Sequence, residues 1–434
     1  MPEDTLAVIM AGGMGERLRP LTDVRTKPAV PFGGIYRIID FTLSNCINSG
    51  VRQVFVLTQY KSHSLTNHIH AGWSFLSRRL DQFIETIPAQ MQMGDQWYAG
   101  TADAIRQNRV FIQRTAPELV LVLSGDHVYK MDYRIMIGFH QQRRARVSVA
   151  CTRVPAEAAR DRLGVMQVDE ASRIVGFQEK PSEPTPIPGT TECLASMGIY
   201  LFTYDALRDT LEREGADFGQ HIIPQMIESG EPVYAYDYTA RNRIVEYVHI
   251  WSDGLRMKEL SDHAPDSAYW RDVGTLDTYW QANLDLVSAA PPFNLYGELW
   301  PFFSRPQHAP PAKFVHEGEG RTGIAINSIV SEGVIISGAQ VRRSVLGPGT
   351  YIHSFTLLDQ SIVMGAAREK GARYETTIGR HCRIRNAIID KNVRLREGTV
   401  LGFDRADDER RGLTVQDIPG SSDYVVVVPR DATL

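Results

Sequence analysis

Beyond Lys313 an apolar residue returns at every sixth position, at Ile329, Ile335 and Val341, at Leu346, Ile352 and Leu358, and at Ile378 and Ile384. A six-residue apolar period marks a hexapeptide β-helix, in which each repeat forms one short side of a coil. Small and turn-forming residues fill the gaps, among them Gly333, Gly338, Gly347, Gly349 and Gly379. The phase slips between the three blocks, which predicts loops that interrupt the coil. Chance spacing in a Val- and Ile-rich all-β domain is the plainer reading of the same residues. Such a coil, expected to be left-handed, has exposed ends and flat sides that favour contacts between subunits.

Up to about residue 288 the pattern is different. Leu6–Met10, Val54–Leu57, Leu119–Leu123 and Val147–Ala150 are short apolar runs without alternation, which suits strands buried on both faces of a parallel sheet. Amphipathic segments such as Asp132–Arg144 supply the crossovers, and Gly164–Val168 with Ile174–Gln178 reads as an added hairpin. Between the two halves, Pro291, Pro292, Pro301, Pro306, Pro310 and Pro311 forbid a continuous helix or central strand. The expected organisation is a Rossmann-like α/β domain with a mostly parallel sheet over residues 1–288. A proline-rich linker over 289–312 then packs across both domains, and the β-helix occupies 313–434.

Charge narrows the function classes. The net charge is only −4, so no global field recruits nucleic acid or an anionic membrane, and anionic partners must meet local clusters. The four cysteines, Cys46, Cys151, Cys193 and Cys382, lie far apart without metal-ligand spacing, as in a reduced cytoplasmic protein. Residues 1–10 lack a basic leader, and no apolar stretch reaches ~18 residues, so a soluble, non-secreted protein is expected.

Leu6–Met10 runs into Ala11-Gly12-Gly13-Met14-Gly15-Glu16-Arg17-Leu18. Glycines here let backbone N–H groups face an anion beside the positive end of a following helix. Arg17 adds a guanidinium for phosphate oxygens, and Lys27 a second cation. A tight turn without ligand is the bland alternative. An ATPase P-loop is excluded for want of G-x-x-x-x-G-K-[ST], and Leu18 stands where a dinucleotide fingerprint needs its third glycine. Asp126 directly follows the run Leu119–Leu123 and points into the crevice where such sheets bind ligands. Asp272 is a second carboxylate, ahead of a helix that Thr275 caps with Asp277 in its first turn. Two aspartates suffice for Mg²⁺, which completes its shell with water and phosphates; capping, or pairing with Arg271, is the alternative for Asp272.

Lys180 offers a point charge for a second phosphate, Glu179 accepts from hydroxyls, and Tyr98 and Ser196 bring further polar groups. Each alone reads equally as a structural polar residue. A phosphate monoester is already ionised at neutral pH, its second pKa being ~6, so its attack on another phosphate needs positioning and charge neutralisation, not a general base. Cations are plentiful here and no nucleophile stands out; His63, His68 and His70 are read as ordinary polar residues.

Together these segments resemble the bacterial glucose-1-phosphate adenylyltransferase (ADP-glucose pyrophosphorylase) family. AGGMGERLRPLT (11–22) alone would indicate only the wider superfamily. IIDFTLSNCINSG (38–50), WYAGTADA (97–104), LASMGIY (194–200) and YWRDVGT (269–275) are far more specific. The resemblance implies that ATP and glucose 1-phosphate are the substrates. Gly12, Gly13, Gly15, Arg17, Lys27, Gly100 and Thr101 would bind the nucleotide, and Asp126 and Asp272 would hold Mg²⁺. Tyr98, Gly164, Glu179, Lys180 and Ser196 would bind the sugar phosphate. It further implies a homotetramer in glycogen synthesis, controlled by phosphorylated effectors between the domains. Gln59 and Trp97 would relay that signal, with Arg25, Arg37, Arg383 and Arg385 as effector contacts. Val24 and Pro31 depart from the enteric pattern, which often has a Lys and a His there, and this argues against fructose 1,6-bisphosphate and for a different phosphorylated metabolite such as fructose 6-phosphate. Rival readings are a transferase for UTP or dTTP, an acyltransferase using the coil with His353 or His381, and a non-catalytic regulatory subunit.

Overall fold

Runs that are apolar at every position have no face to show to water, and they become the centre of a sheet covered on both sides. The computed structural model describes residues 4–90, 97–366 and 375–434. In chain order its amino-terminal strands begin with β1 (Thr5–Met10), β2 (Gln53–Thr58), β3 (Phe83–Pro88), β4 (Leu119–Ser124), β5 (His127–Tyr129) and β6 (Val147–Pro155). Next come β7 (Val165–Val168), β8 (Ile174–Gln178), β9 (Glu192–Thr203) and β10 (Val233–Asp237). The last three are β11 (Glu246–Ser252), β12 (Leu255–Ser261) and β13 (Trp270–Asp272). The main sheet runs β8-β7-β9-β4-β1-β2-β3, with β6 joined to β9 and β10 to β6. Its centre, β3-β2-β1-β4, is parallel, and the expected hairpin β7–β8 enters antiparallel through β9. Leu6, Ala7, Val8 and Ile9 are fully buried, with alternate residues feeding the cores on opposite faces.

Three helices position the crevice. α1 (Ile38–Asn48) is buried along nearly its whole length, and its polar residues are therefore bonded internally. Thr42 Oγ1 donates to the Ser124 carbonyl at 3.1 Å, fixing the end of β4, and Asn45 Nδ2 donates to the Tyr129 carbonyl at 3.1 Å. α2 (Tyr133–Arg143) is capped by Asp132, and α3 (Leu276–Asp285) by Thr275, as expected, with Thr278. Among the described residues no helix is long and apolar enough to cross a membrane.

From Lys313 the chain winds through three parallel sheets stacked as the sides of a coil. Leu346, Ile352 and Leu358 each fall on a different side, as a six-residue period requires, and all three are buried. Part of the phase slip has a different cause from the one expected; the 26 residues between the paired Ile352 and Ile378, against 17 between Leu346 and Val363, leave room for the expected loop as well. The step from Leu358 to Val363 is one residue short because a tight corner, with Gln360 at φ 45°, turns the chain without a loop. Arg343 and Asn386 make the same left-handed corner at φ 44° and 47°. In the first block the inward residues are Val330 and Ile336; Ile329 instead packs toward the other domain.

The coil docks through one sheet. Val345, Ile362, Ile388, Val425 and Val427 share a core with Phe41 of α1, with Leu276 and Trp280 of α3, and with Phe293 and Phe302 of the proline-rich segment. Trp280 Nε1 donates to the Gln360 carbonyl at 2.7 Å. Nearby, Arg25 forks onto both oxygens of Asp390 at 2.8 and 2.7 Å, with both side chains buried. Removing one partner strands the other charge, so we expect Asp390→Ala to cost about 3–5 kcal/mol. Calorimetry should show the coil melting early; a loss under about 1 kcal/mol would mean the docking does not depend on this pair.

Candidate active site

The loop after β1 is shaped by what it may not contain. Gly15 stands at φ +62°, and a Cβ there would lie 3.0 Å from the Lys27 Cβ and 3.1 Å from the Thr22 methyl, so the loop closes only on glycine. Thr22 Oγ1 donates to the Gly15 carbonyl and Thr26 Oγ1 to the Ala11 carbonyl, at 2.9 and 3.1 Å, which turns carbonyls away from the crevice. The N–H groups of Gly12, Gly13, Met14 and Gly15 donate to no protein group among the described residues. That row of free donors suits an anion. The expected helix dipole is missing: only a single 3₁₀ turn, Glu16–Leu18, follows, with Pro20 two residues on. Any anion here would rest on loop amides and on Arg17, whose guanidinium reaches the backbone at Gly274.

Asp126 follows β4, and Asp272 ends β13, which pairs with β5 so that Asp272 lies opposite His127. The buried Lys27 ammonium touches one oxygen of each carboxylate at 2.9 Å. Burial opposes every charge in this trio, but mutual attraction outweighs it. Lys27 is held above its ordinary value by the two carboxylates. Asp126 is held well below the usual range by Lys27, His127 and the Ser124 hydroxyl, and Asp272 is lowered by Lys27 and His127. Arg271, the alternative partner for Asp272, turns instead to Asp285. Two hard oxygen ligands converging on one small cation are a donor set that fits Mg²⁺, which takes its remaining ligands from water and phosphates.

A cleft of about 730 Å³ opens over this trio, lined by the Gly12–Arg17 loop, Lys27, Gln59, Tyr98, Gly100, Thr101, Ser124, Asp126 and Asp217. A Cβ on Gly100 would strike the Ala216 carbonyl oxygen, so the two chains touch only at glycine. Thr101 Oγ1 donates to Asp217 and accepts from the Phe218 N–H, both at 3.0 Å. Gln59 lies under Gly12 and accepts from the Tyr98 N–H at 3.2 Å, while Trp97 is exposed and outside the lining.

Gly164, Glu179, Lys180 and Ser196 group on the β7–β9 side, outside that lining. The Ser196 N–H donates to the Gly164 carbonyl at 2.8 Å, and a Cβ on Gly164 would lie 3.1 Å from the Glu179 carboxylate. Lys180 pairs with Glu179 at 3.1 Å. Asp217, inside the DFGQHIIP segment, lines the cleft and accepts from the Thr101 hydroxyl, and was not singled out from sequence. His127 Nδ1 and Trp270 Nε1, both buried and without a protein partner, also flank the carboxylates and were missed.

The four arginines expected to meet effectors do not come together. Arg37 lines a cavity of about 170 Å³ between the domains, with Arg25, Arg305, Lys391 and Arg430. Arg383 and Arg385 instead lie on another side of the coil, stacked on Phe403 at 4.7 Å each. Both project from the outer face of one strand, which belongs to a different sheet of the coil from the one that docks. Arg25 is engaged by Asp390. Burial, then neighbouring arginines, lower Arg37 to about 10 and Lys391 to about 7.

Residues 6–289 match the model of the nucleotidyl transferase family, and residues 310–419 match that of the GlmU-like C-terminal hexapeptide. A Dechloromonas aromatica protein named glucose-1-phosphate adenylyltransferase is 44% identical over 95% of this chain and 89% of its own length. Proteins of the same name from Alteromonas mediterranea and Shewanella baltica are 43% and 44% identical over 99% of this chain, covering 93% and 96% of theirs.

The trio makes its own prediction. The depressed carboxylates contribute stability above about pH 4, lost as pH falls through their lowered values. Lys27→Met leaves two carboxylates facing each other, and we expect it to melt roughly 3 kcal/mol less stably at pH 7.5. Millimolar Mg²⁺ should recover more of that loss than it adds to the unaltered protein. Equal shifts in the two proteins would show that the carboxylates do not share one cation position.

Proposed function

The chain belongs to the glucose-1-phosphate adenylyltransferase family of nucleotidyl transferases, and from that premise we propose how its cleft joins ATP to glucose 1-phosphate. A phosphate oxygen of the sugar attacks the α-phosphorus of ATP in line. The new O–P bond gives ADP-glucose, and the bond to the β-phosphate breaks to release pyrophosphate. The Gly12–Gly15 amides and Arg17 hold the triphosphate, while Gly100 and Thr101 shape the nucleotide side. Tyr98, Gly164, Glu179, Lys180 and Ser196 hold the sugar phosphate. When bound, Mg²⁺ on Asp126 and Asp272 would neutralise phosphate charge. The observation that carries this reading is the meeting of Asp126 and Asp272, from distant segments, on Lys27 beside a loop of free amides. Such a site brings two polyanions together against their repulsion, and no general base is required.

The same reading takes the cavity between the domains as the effector site. Arg37, Arg305, Lys391 and Arg430 gather positive charge there, and about 170 Å³ admits one phosphate group. Arg25 and Lys27 are one residue apart, yet one grips the coil and the other the catalytic carboxylates, so a shift at the cavity moves both. A homotetramer acting in the cytoplasm in glycogen synthesis completes the proposal.

Pyrophosphate release with glucose 1-phosphate and each nucleoside triphosphate in turn tests the substrates; preference for UTP or dTTP would replace ATP. Asp126→Ala should lose at least ~10²-fold in kcat with its fold intact. Lys180→Ala should raise KM for glucose 1-phosphate about tenfold and leave KM for ATP unchanged. Lys391 titrates near 7, and a bound anion favours its charged form. Affinity for fructose 6-phosphate should therefore tighten roughly fivefold from pH 8 to pH 6.5. Calorimetric titration showing no proton uptake would remove Lys391 from the site.

A further inference from the structure

The hairpin β11–β12 stands apart from the rest of the catalytic domain. Its two strands pair only with each other, and among the described residues no backbone hydrogen bond leaves it for another element. Asp253 and Gly254, at φ 51° and 76°, form a two-residue turn of the kind that matches strand twist. The base is fixed: the Glu246 carboxylate accepts from the N–H groups of Glu298, Leu299 and Trp300, and Lys258 pairs with Glu298. Beyond that base the ribbon is strongly apolar and unprotected. Trp251 is 76% exposed and Leu255 67%, and Tyr247, Ile250, Met257 and Leu260 are exposed as well. An isolated two-stranded ribbon is marginal in water, and this one carries the surface of a contact site.

The two edges differ in chemistry. β12 carries Arg256, Lys258 and Glu259, charges that guard a free edge against further pairing. From Tyr247 to Ser252 β11 carries no Lys, Arg, Asp or Glu. Ser252 and Leu255 flank the turn as a hydrogen-bonded pair, so by alternation the N–H and C=O groups of Tyr247, His249 and Trp251 point away from β12. The strand runs from Glu246 to Ser252, and its midpoint is His249. Antiparallel pairing of β11 with its own copy about a two-fold axis at His249 overlaps the whole strand. It sets Tyr247 opposite the partner's Trp251 and Val248 opposite the partner's Ile250. Every outward group then meets an outward group, and between Tyr247 and Trp251 each cross-strand pair is aromatic or β-branched, with Glu246 opposite Ser252 at the two ends.

We propose that β11 is a subunit interface, at which two copies of this chain join edge to edge into one four-stranded sheet. This rests on the homo-oligomeric reading above and says where one of its contacts lies. Tyr247, Ile250 and Trp251 on β11 are all exposed, so pairing along this edge brings uncovered apolar side chains together at the seam. A tetramer of two-fold symmetry needs a second, different self-complementary surface, which the ends and sides of the coil offer.

Light scattering on the full chain at micromolar concentration tests this. The unaltered protein should be an oligomer, and Ile250→Lys, which places like charges near the axis on an exposed edge, should halve its mass. His249→Cys should form a disulfide-linked dimer on mild oxidation. All four native cysteines are buried, so the unaltered protein should give none. An unaltered protein that is monomeric would overturn both this interface and the homo-oligomeric reading. An oligomer whose mass Ile250→Lys leaves unchanged would overturn the interface alone. Failure of His249→Cys to cross-link in the oligomer would likewise overturn pairing through β11.

Discussion

Lys27 lies between Asp126 and Asp272, and the catalytic domain is arranged around keeping that ammonium there. Each carboxylate alone, half sunk beside a parallel sheet, would raise its pKa and lose its charge. With one cation at 2.9 Å from both, the two half-buried carboxylates are held in their charged form around a buried ammonium. The carboxylates come from either side of the crevice, one after β4 and one at the end of β13. Their meeting therefore requires the parallel sheet, the β5–β13 pairing and the short Thr26–Val30 turn to form together. A site for two phosphates needs fixed positive and negative charge in the same small volume. This trio supplies both without relying on solvent to screen them.

The segment around Lys27 has a second role. Thr26 bonds back to the Gly-rich loop, and Arg25 crosses to Asp390 on the coil. Three consecutive side chains thus reach the phosphate loop, the catalytic carboxylates and the other domain. The chain cannot alter one of these contacts without changing the backbone that carries the other two. A cavity rich in cations opens beside Arg25, with Lys391 near neutrality in its titration. Charge placed there acts on a lever already joined to the active site.

Where sequence spoke clearly, the cause was a local rule that tertiary structure did not override. Continuous apolar runs gave the parallel strands, Thr275 gave its cap, and Gly15 marked a turn that only glycine fits. Asp126 was legible because a carboxylate after a buried strand has one direction to point. The helix expected after the phosphate loop failed because Pro20 follows too closely. The coil's inner residues were displaced by one position in the first block, since Ile329 and Val330 are both apolar and each faces a core, one inside the coil and one against α3. Periodicity counts apolar residues without knowing which core they serve. The inter-domain cavity was half legible: Arg37 was seen, but Lys391, Arg305 and Arg430 converge only through the docking of the domains. Arg383 and Arg385 looked equivalent to them in sequence and face elsewhere.

That docking also decides what kind of object the coil is. Val345, Ile362 and Ile388 point out of the coil, and in an isolated solenoid they would be an exposed apolar stripe. Here they complete the core that holds Phe41, Trp280, Phe293 and Phe302. α1 is sealed by this core on one side and by the sheet on the other, and its Thr42 fixes the end of β4 beside Asp126. The coil is thus half of the packing that positions Asp126. Interiors packed at this density transmit displacement. A small rotation of the coil about the Arg25–Asp390 pair would reach α1, and through α1 Asp126 in the cleft, without any segment having to unfold.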